Sequence, residues 1–127
     1  MRFVRTTAAI LLLAASSLIA NDSPFFRLKE TTSNGVLRVI GTNVSRSPIV
    51  AYVVVFERSN QRAVWHGVYN DGNTLPIGKS VRVGVVPAGP YLGRPIVNVD
   101  YIRLANGTSW GNASTDEAKD IMARFKK

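Results

Sequence analysis

The stretch Ile49-Val50-Ala51-Tyr52-Val53-Val54-Val55-Phe56-Glu57 is apolar on both sides when laid out as a strand. Ile49, Ala51, Val53 and Val55 point one way, and Val50, Tyr52, Val54 and Phe56 the other, because side chains alternate with a period of two. A strand with no polar face belongs in the middle of a structure, covered above and below. A helix is the competing assignment. Ile49 and the valines argue against it, since β-branched side chains are stiff in helices and fit a pleated surface.

Shorter strand patterns flank this centre. Pro24-Phe25-Phe26-Arg27-Leu28-Lys29-Glu30 alternates apolar and basic residues and reads as a short edge strand. Thr31-Thr32-Ser33-Asn34-Gly35 is a turn ending in a pair that tolerates positive φ. Residues 36–43 form a second strand, and Arg58-Ser59-Asn60-Gln61 links the central strand to another at 62–69. Strands are also predicted over 80–86, 96–104 and 108–110, the last two joined by the hairpin signal Asn106-Gly107. Residues 87–95 carry three prolines and two glycines, which excludes regular structure.

The period changes after Trp110. Ala118, Ile121, Met122 and Phe125 recur at one face of a helix, predicted over about 115–126. Ser114 and Glu117 have capping-box spacing, acids open the helix and bases close it. The apolar stripe is expected to pack on the sheet rather than bind a partner or membrane. The expected fold is therefore mainly β, an antiparallel sandwich of about six or seven strands plus one C-terminal amphipathic helix.

The 127 residues allow one domain. There is no cysteine and one histidine, which excludes disulfides, thiolate chemistry and multi-histidine metal sites. No cofactor is expected. The formal charge is +8, from 16 basic and 8 acidic residues; without Arg2 and Arg5 it is 14 against 8, or +6. That balance describes a basic surface and a leaning towards anionic partners.

Met1-Arg2-Phe3-Val4-Arg5 followed by an uncharged apolar run has the layout of a secretory signal peptide. The run is shorter than the ~20 residues of a membrane-spanning helix. Cleavage is expected after Ala20, leaving 21–127 as the domain; cleavage after Ser17, with Ala15 two positions earlier, is the alternative, and an uncleaved anchor a third possibility. The chain is thus expected to be exported, periplasmic or secreted, with no stable membrane span afterwards. An exported chain without cysteine suits a bacterial envelope. Asn21, Asn43, Asn106 and Asn112 sit in glycosylation-like patterns and are read as turn residues.

Leu37-Arg38-Val39-Ile40-Gly41-Thr42-Asn43-Val44-Ser45 resembles the opening of small exported bacterial immunoglobulin-like domains of the F-x-L-Y-D type and their relatives. Leu75-Pro76-Ile77-Gly78-Lys79-Ser80-Val81-Arg82-Val83 is similar to a later segment of that family, with Ile77 as an extra residue; the namesake motif is absent. Asn106-Gly107-Thr108-Ser109-Trp110-Gly111 resembles the closing hairpin of other secreted proteins. The resemblance implies an immunoglobulin-like sandwich and no particular activity.

Catalytic constellations do not emerge. His66 lacks a nucleophile turn, with Asp71 or Asp100 its only candidate carboxylates, and reads as an ordinary strand residue. Glu57 and Asp100 are the strand acids, with nothing to fix their separation as a glycosidase pair. Asn70-Asp71-Gly72-Asn73 lacks the acids of a calcium loop, and Gly78-Lys79-Ser80 the rest of a phosphate loop. Trp65, Tyr69, Tyr91, Tyr101 and Trp110 would make a sugar platform if they shared a face. Arg38, Arg62, Arg82, Arg94 and Arg103 would make a basic patch on the same condition. Ligand-binding candidates are therefore Trp65, Tyr69, Tyr91, Trp110, Arg82 and Arg103. The expected function is a non-enzymatic structural or protein-interaction module. A carbohydrate or anionic-polymer binding module is the alternative. Its partner would be another envelope protein or an anionic polymer, not nucleic acid.

Overall fold

A computed structural model describes residues 19–21, 23–70, 72–89 and 91–125. Eight strands and one helix follow in order: β1 Ile19–Asn21, β2 Phe26–Ser33, β3 Val36–Asn43, β4 Ile49–Arg58, β5 Gln61–Val68, β6 Ser80–Pro87, β7 Ile96–Leu104, β8 Ser109–Trp110 and α1 Asp116–Arg124. One sheet runs β1-β7-β4-β5, with β8 also on β7; the other runs β2-β3-β6. Pairing is antiparallel except for β1, which lies parallel to β7 with Ala20 opposite Val97. The expected cleavage point at Ala20 thus falls inside a strand. The rest of the expected leader lies outside the described residues.

The central stretch occupies the middle of its sheet, between β5 and β7. Its Tyr52, Val54 and Phe56 meet Phe26, Leu28, Leu37, Val39, Val83 and Val86 of the facing sheet in one buried cluster. Ala51 and Val53 face the other way, under Ala118 and Ile121 of α1. Both faces of the strand are therefore covered, as its sequence requires. Three glycines admit aromatic rings to the core: a Cβ at Gly41 would strike Phe26, one at Gly67 Tyr52, and one at Gly84 Trp65.

Several boundaries differ from expectation for local reasons. β2 runs on to Ser33 because the turn is only Asn34-Gly35, both at positive φ (52° and 73°), the tight hairpin geometry that matches strand twist. Arg58 belongs to β4 and leaves Ser59 and Asn60 as the turn. The last hairpin loop is closed by the Leu104 N–H donating to the Thr108 carbonyl at 2.8 Å, with Gly107 at φ 94°. The helix is capped by Thr115, whose hydroxyl accepts from the Ala118 N–H, and not by Ser114. Ala118 and Ile121 are buried, while Met122 and Phe125 are only half-buried.

Arg58, read as a loop residue, is 4% exposed. Its guanidinium donates to the Pro87 carbonyl at 2.6 Å and to Gln61 Oε1 at 2.8 Å, and lies 5.3 Å from the centre of the Phe56 ring. It ties β4 of one sheet to the end of β6 in the other.

Asn43 is fully buried and directs the loop that follows. Its amide donates to the Ser47 and Leu75 carbonyls, and its oxygen accepts from the Ser45 N–H at 2.9 Å. Asn43 is thus the last residue of β3 rather than a turn residue, its side chain holds the loop that follows, and its burial leaves no room for a glycan.

Candidate functional site

The helix covers only part of the outer face of the larger sheet. Its nine residues span ~14 Å. Beyond its N-terminus, at the Glu57 end of β4, an open polar cavity of about 490 Å³ remains. Val55 and Glu57 of β4, Asn98 of β7, Arg62 of β5, and Asn112 and Ser114 of the loop before the helix line it.

Asp100 shapes the rim. β7 carries a bulge at this residue, since Val53 pairs with Tyr101 while Val54 pairs with Val99. The bulge turns both Asp100 and Tyr101 to the outer face, whereas simple alternation places Ile102 with Asp100. Asp100 Oδ1 accepts from the Ser114 N–H and hydroxyl at 3.0 and 2.8 Å, and Oδ2 from the same two groups of Thr115 at 3.0 and 2.8 Å. Burial alone would push its carboxyl up. The hydrogen bonds from Ser114 and Thr115 outweigh that and hold it below its ordinary value. This carboxylate anchors the start of α1 to the sheet.

The aromatic platform does not assemble. Trp65 packs inward with its ring 5.1 Å from Phe56, and Tyr69 lies 6.5 Å from Tyr52. Trp110 packs against the same inter-sheet core, and Tyr101 is buried beneath the helix. Tyr91 is 98% exposed on the loop after β6, away from the others. Burial pushes the Tyr52 hydroxyl up to about 12, with Tyr69 beside it adding to the rise, so this phenol stays neutral in the core. His66 is exposed on β5 opposite Val53. Among the described residues no group of three metal-ligating side chains converges.

The arginines divide between the two sheets. Arg103 lies on the larger sheet, its guanidinium 5.1 Å from the centre of the Phe125 ring. Arg62 reaches Glu57 at 3.7 Å, and Arg94 is exposed on the loop before β7. Arg38 and Arg82, however, share the outer face of the smaller sheet. The register places Lys29, Ile40 and Arg82 in one row across β2, β3 and β6. Arg27 lies in the row on one side, beside Thr42 and Ser80, and Arg38 in the row on the other, between Thr31 and Val85. A bulge at Val83 brings Arg82 into phase, by placing both Val83 and Gly84 on the inner side. Four cations thus share a patch ~13 Å long by ~10 Å wide at the Cα atoms. Its paired rows contain no acid. Among the described residues none of the four forms an ion pair with a carboxylate.

No protein-family model, curated protein or solved structure matches the chain.

Five of the described acids lie on the other side of the molecule, while Glu30 sits on β2, in phase with the inward-facing Phe26 and Leu28. Glu57 and Asp100 lie on the outer face of the larger sheet, and Asp116, Glu117 and Asp120 on the helix that packs there. The outer face of the smaller sheet thus carries cations alone among its described charged residues, whereas the larger sheet and its helix mix acids with Arg62, Arg103, Lys119 and Arg124. Arg27 and Lys29 were not among the expected binding residues, because alternation with Phe26 and Leu28 marks them only as solvent-facing. Their in-phase spacing with Arg38 and Arg82 appears once β3 is paired on both sides.

Proposed function

We propose that the protein is an exported, non-enzymatic module with an immunoglobulin-like sandwich, and that it binds an anionic polymer of the bacterial envelope through the outer face of its smaller sheet. One observation carries this reading: Arg27, Lys29, Arg38 and Arg82 meet on one sheet face and, among the described residues, none of them is ion-paired with a carboxylate. Like charges at this spacing repel one another, and an extended polyanion relieves that repulsion along two strands at once. A flat face suits a polymer rather than a small ligand, which needs a concave site. Strand order supports the immunoglobulin-like assignment. β2-β3-β6 facing β4-β7-β8 matches the A-B-E and C-F-G neighbours of such sandwiches, with β5 on the far side of β4.

Polyphosphate is a suitable probe. If four cations engage it, the logarithm of the binding constant should fall with the logarithm of salt with a slope of about −3. Arg82→Ala should lower affinity and reduce that slope by about 0.7. Absence of low-salt binding, or equal binding by the double variant Arg38→Glu/Arg82→Glu, contradicts the reading. Binding to phosphatidylglycerol vesicles without binding to the soluble polymer would transfer the face to a membrane role.

Export belongs to the same proposal. Cleavage after Ser17 leaves β1 whole, whereas cleavage after Ala20 leaves it only Asn21. We therefore expect the intact mass of the exported protein to correspond to residues 18–127. A full-length species held in the membrane contradicts export. A mass for residues 21–127 supports export and shows that β1 is absent from the mature chain.

A further inference from the structure

We infer that the polar cavity beside α1 is a second site, built for a neutral polyhydroxylated ligand such as a saccharide unit. It lies on the outer face of the larger sheet, opposite the basic face, and does not depend on that face's role. Its volume of about 490 Å³ falls within the size range of small-ligand pockets.

The polar groups lining it have unused hydrogen-bonding capacity. Among the described residues, the side-chain amides of Asn98 and Asn112 make no hydrogen bond. Glu57 and Arg62 meet only at 3.7 Å, beyond hydrogen-bond distance, and both are more than half exposed. Two amides, the Glu57 carboxylate and the Arg62 guanidinium thus offer donors and acceptors together, while the Asp100 carboxylate on the same wall is taken up by Ser114 and Thr115. An anion entering here faces Glu57, and a cation faces Arg62. A hydroxyl donates and accepts at once, so a polyol satisfies the whole set. Val55 adds an apolar patch for the C–H face of a sugar ring.

The rim is held before any ligand arrives. A Cβ at Gly111 would lie 2.3 Å from the Asp100 carbonyl oxygen, so the loop crosses in direct contact with β7. The Ala113 N–H donates to that same carbonyl at 2.9 Å, and Ser114 and Thr115 bind the Asp100 carboxylate. This spares the ordering cost of binding for Asn112. Half-buried Trp110 packs against the inter-sheet core and also borders the cavity; with affinity resting mainly on hydrogen bonds, binding is expected in the ~millimolar range.

The test is an NMR titration of the folded protein with three neutral disaccharides: cellobiose, maltose and N,N′-diacetylchitobiose. Shifts of the Asn98 and Asn112 side-chain amides and the Val55 methyls with at least one of them support the site. Asn98→Ala should then weaken that binding about tenfold, while Arg82→Glu leaves it unchanged. The Asn98 amide has no described protein partner, so this variant should melt like the parent. No shift at these groups with any of the three sugars, or equal binding by Asn98→Ala, overturns the inference.

Discussion

Val54→Asp should abolish the native fold at ordinary temperature. Val54 is fully buried on the inner face of β4, between Trp65 on one neighbour and Val99 on the other. The cluster around it is hydrophobic, and the inward-facing cation of the same strand, Arg58, stands four residues further on and is already bonded to Pro87 and Gln61. An aspartate there either leaves a charge unpaired in the core or takes up a proton to avoid it. The expected cost is about 5 kcal/mol, comparable with the entire stability of a small domain. Val54→Ala, which leaves a cavity and no charge, should cost only about 2 kcal/mol. Urea denaturation of the three proteins measures both values. A Val54→Asp protein that unfolds at the parent's midpoint would show that β4 is not the structural centre.

Asp100→Ala should have the second largest effect, at about 3 kcal/mol. The substitution removes the acceptor for two N–H groups and two hydroxyls, and Thr115 is buried. Those donors then lose their partner in the fold, and the start of α1 loses its anchor. Asp100→Asn should also destabilise, because an amide presents N–H to groups that are themselves donors. The effect has a direction in pH. The folded carboxyl is held below its ordinary value, so its stabilisation is fully present above the unfolded value of about 3.9 and is lost as pH falls through the lower folded one. The parent should lose stability across that acid window, and Asp100→Asn should lose less. Hydrogen exchange at the Ala118 amide, bonded to Thr115 Oγ1, reports whether the helix start opens first. Parent-like stability of Asp100→Ala would contradict the anchoring role.

These two residues also mark the boundary of what sequence reveals here. Val54 was legible because a strand apolar on both faces has one place to go, whatever its neighbours are. α1 was legible because Ala118, Ile121, Met122 and Phe125 change the period from two to that of a helix. Asp100 was not, because its face depends on an extra residue in β7, and its partners lie fourteen and fifteen positions away. A bulge leaves no mark in alternation until the opposing strand is known.

The basic face was half legible for the same reason. Arg38 and Arg82 are recognisable as strand residues, but they meet only because β3 pairs with β6 over more than forty intervening positions. The aromatic residues show the converse. Trp65, Tyr69 and Trp110 alternate like exposed strand residues, yet all three pack against the inter-sheet core, Trp65 over Gly84. The inward-facing Arg58 was missed because its charge reads as solvent-facing, while its partner, the Pro87 carbonyl, belongs to the other sheet.

The central claim is that the outer face of β2, β3 and β6 is the working surface. A backbone-amide NMR titration with polyphosphate at low salt tests it most directly. The account predicts shifts concentrated at Arg27, Lys29, Ile40, Arg38 and Arg82, reversed by salt, with His66 and the helix unaffected. Shifts centred on the helix or on β5, with the β2-β3-β6 face unmoved, would contradict it.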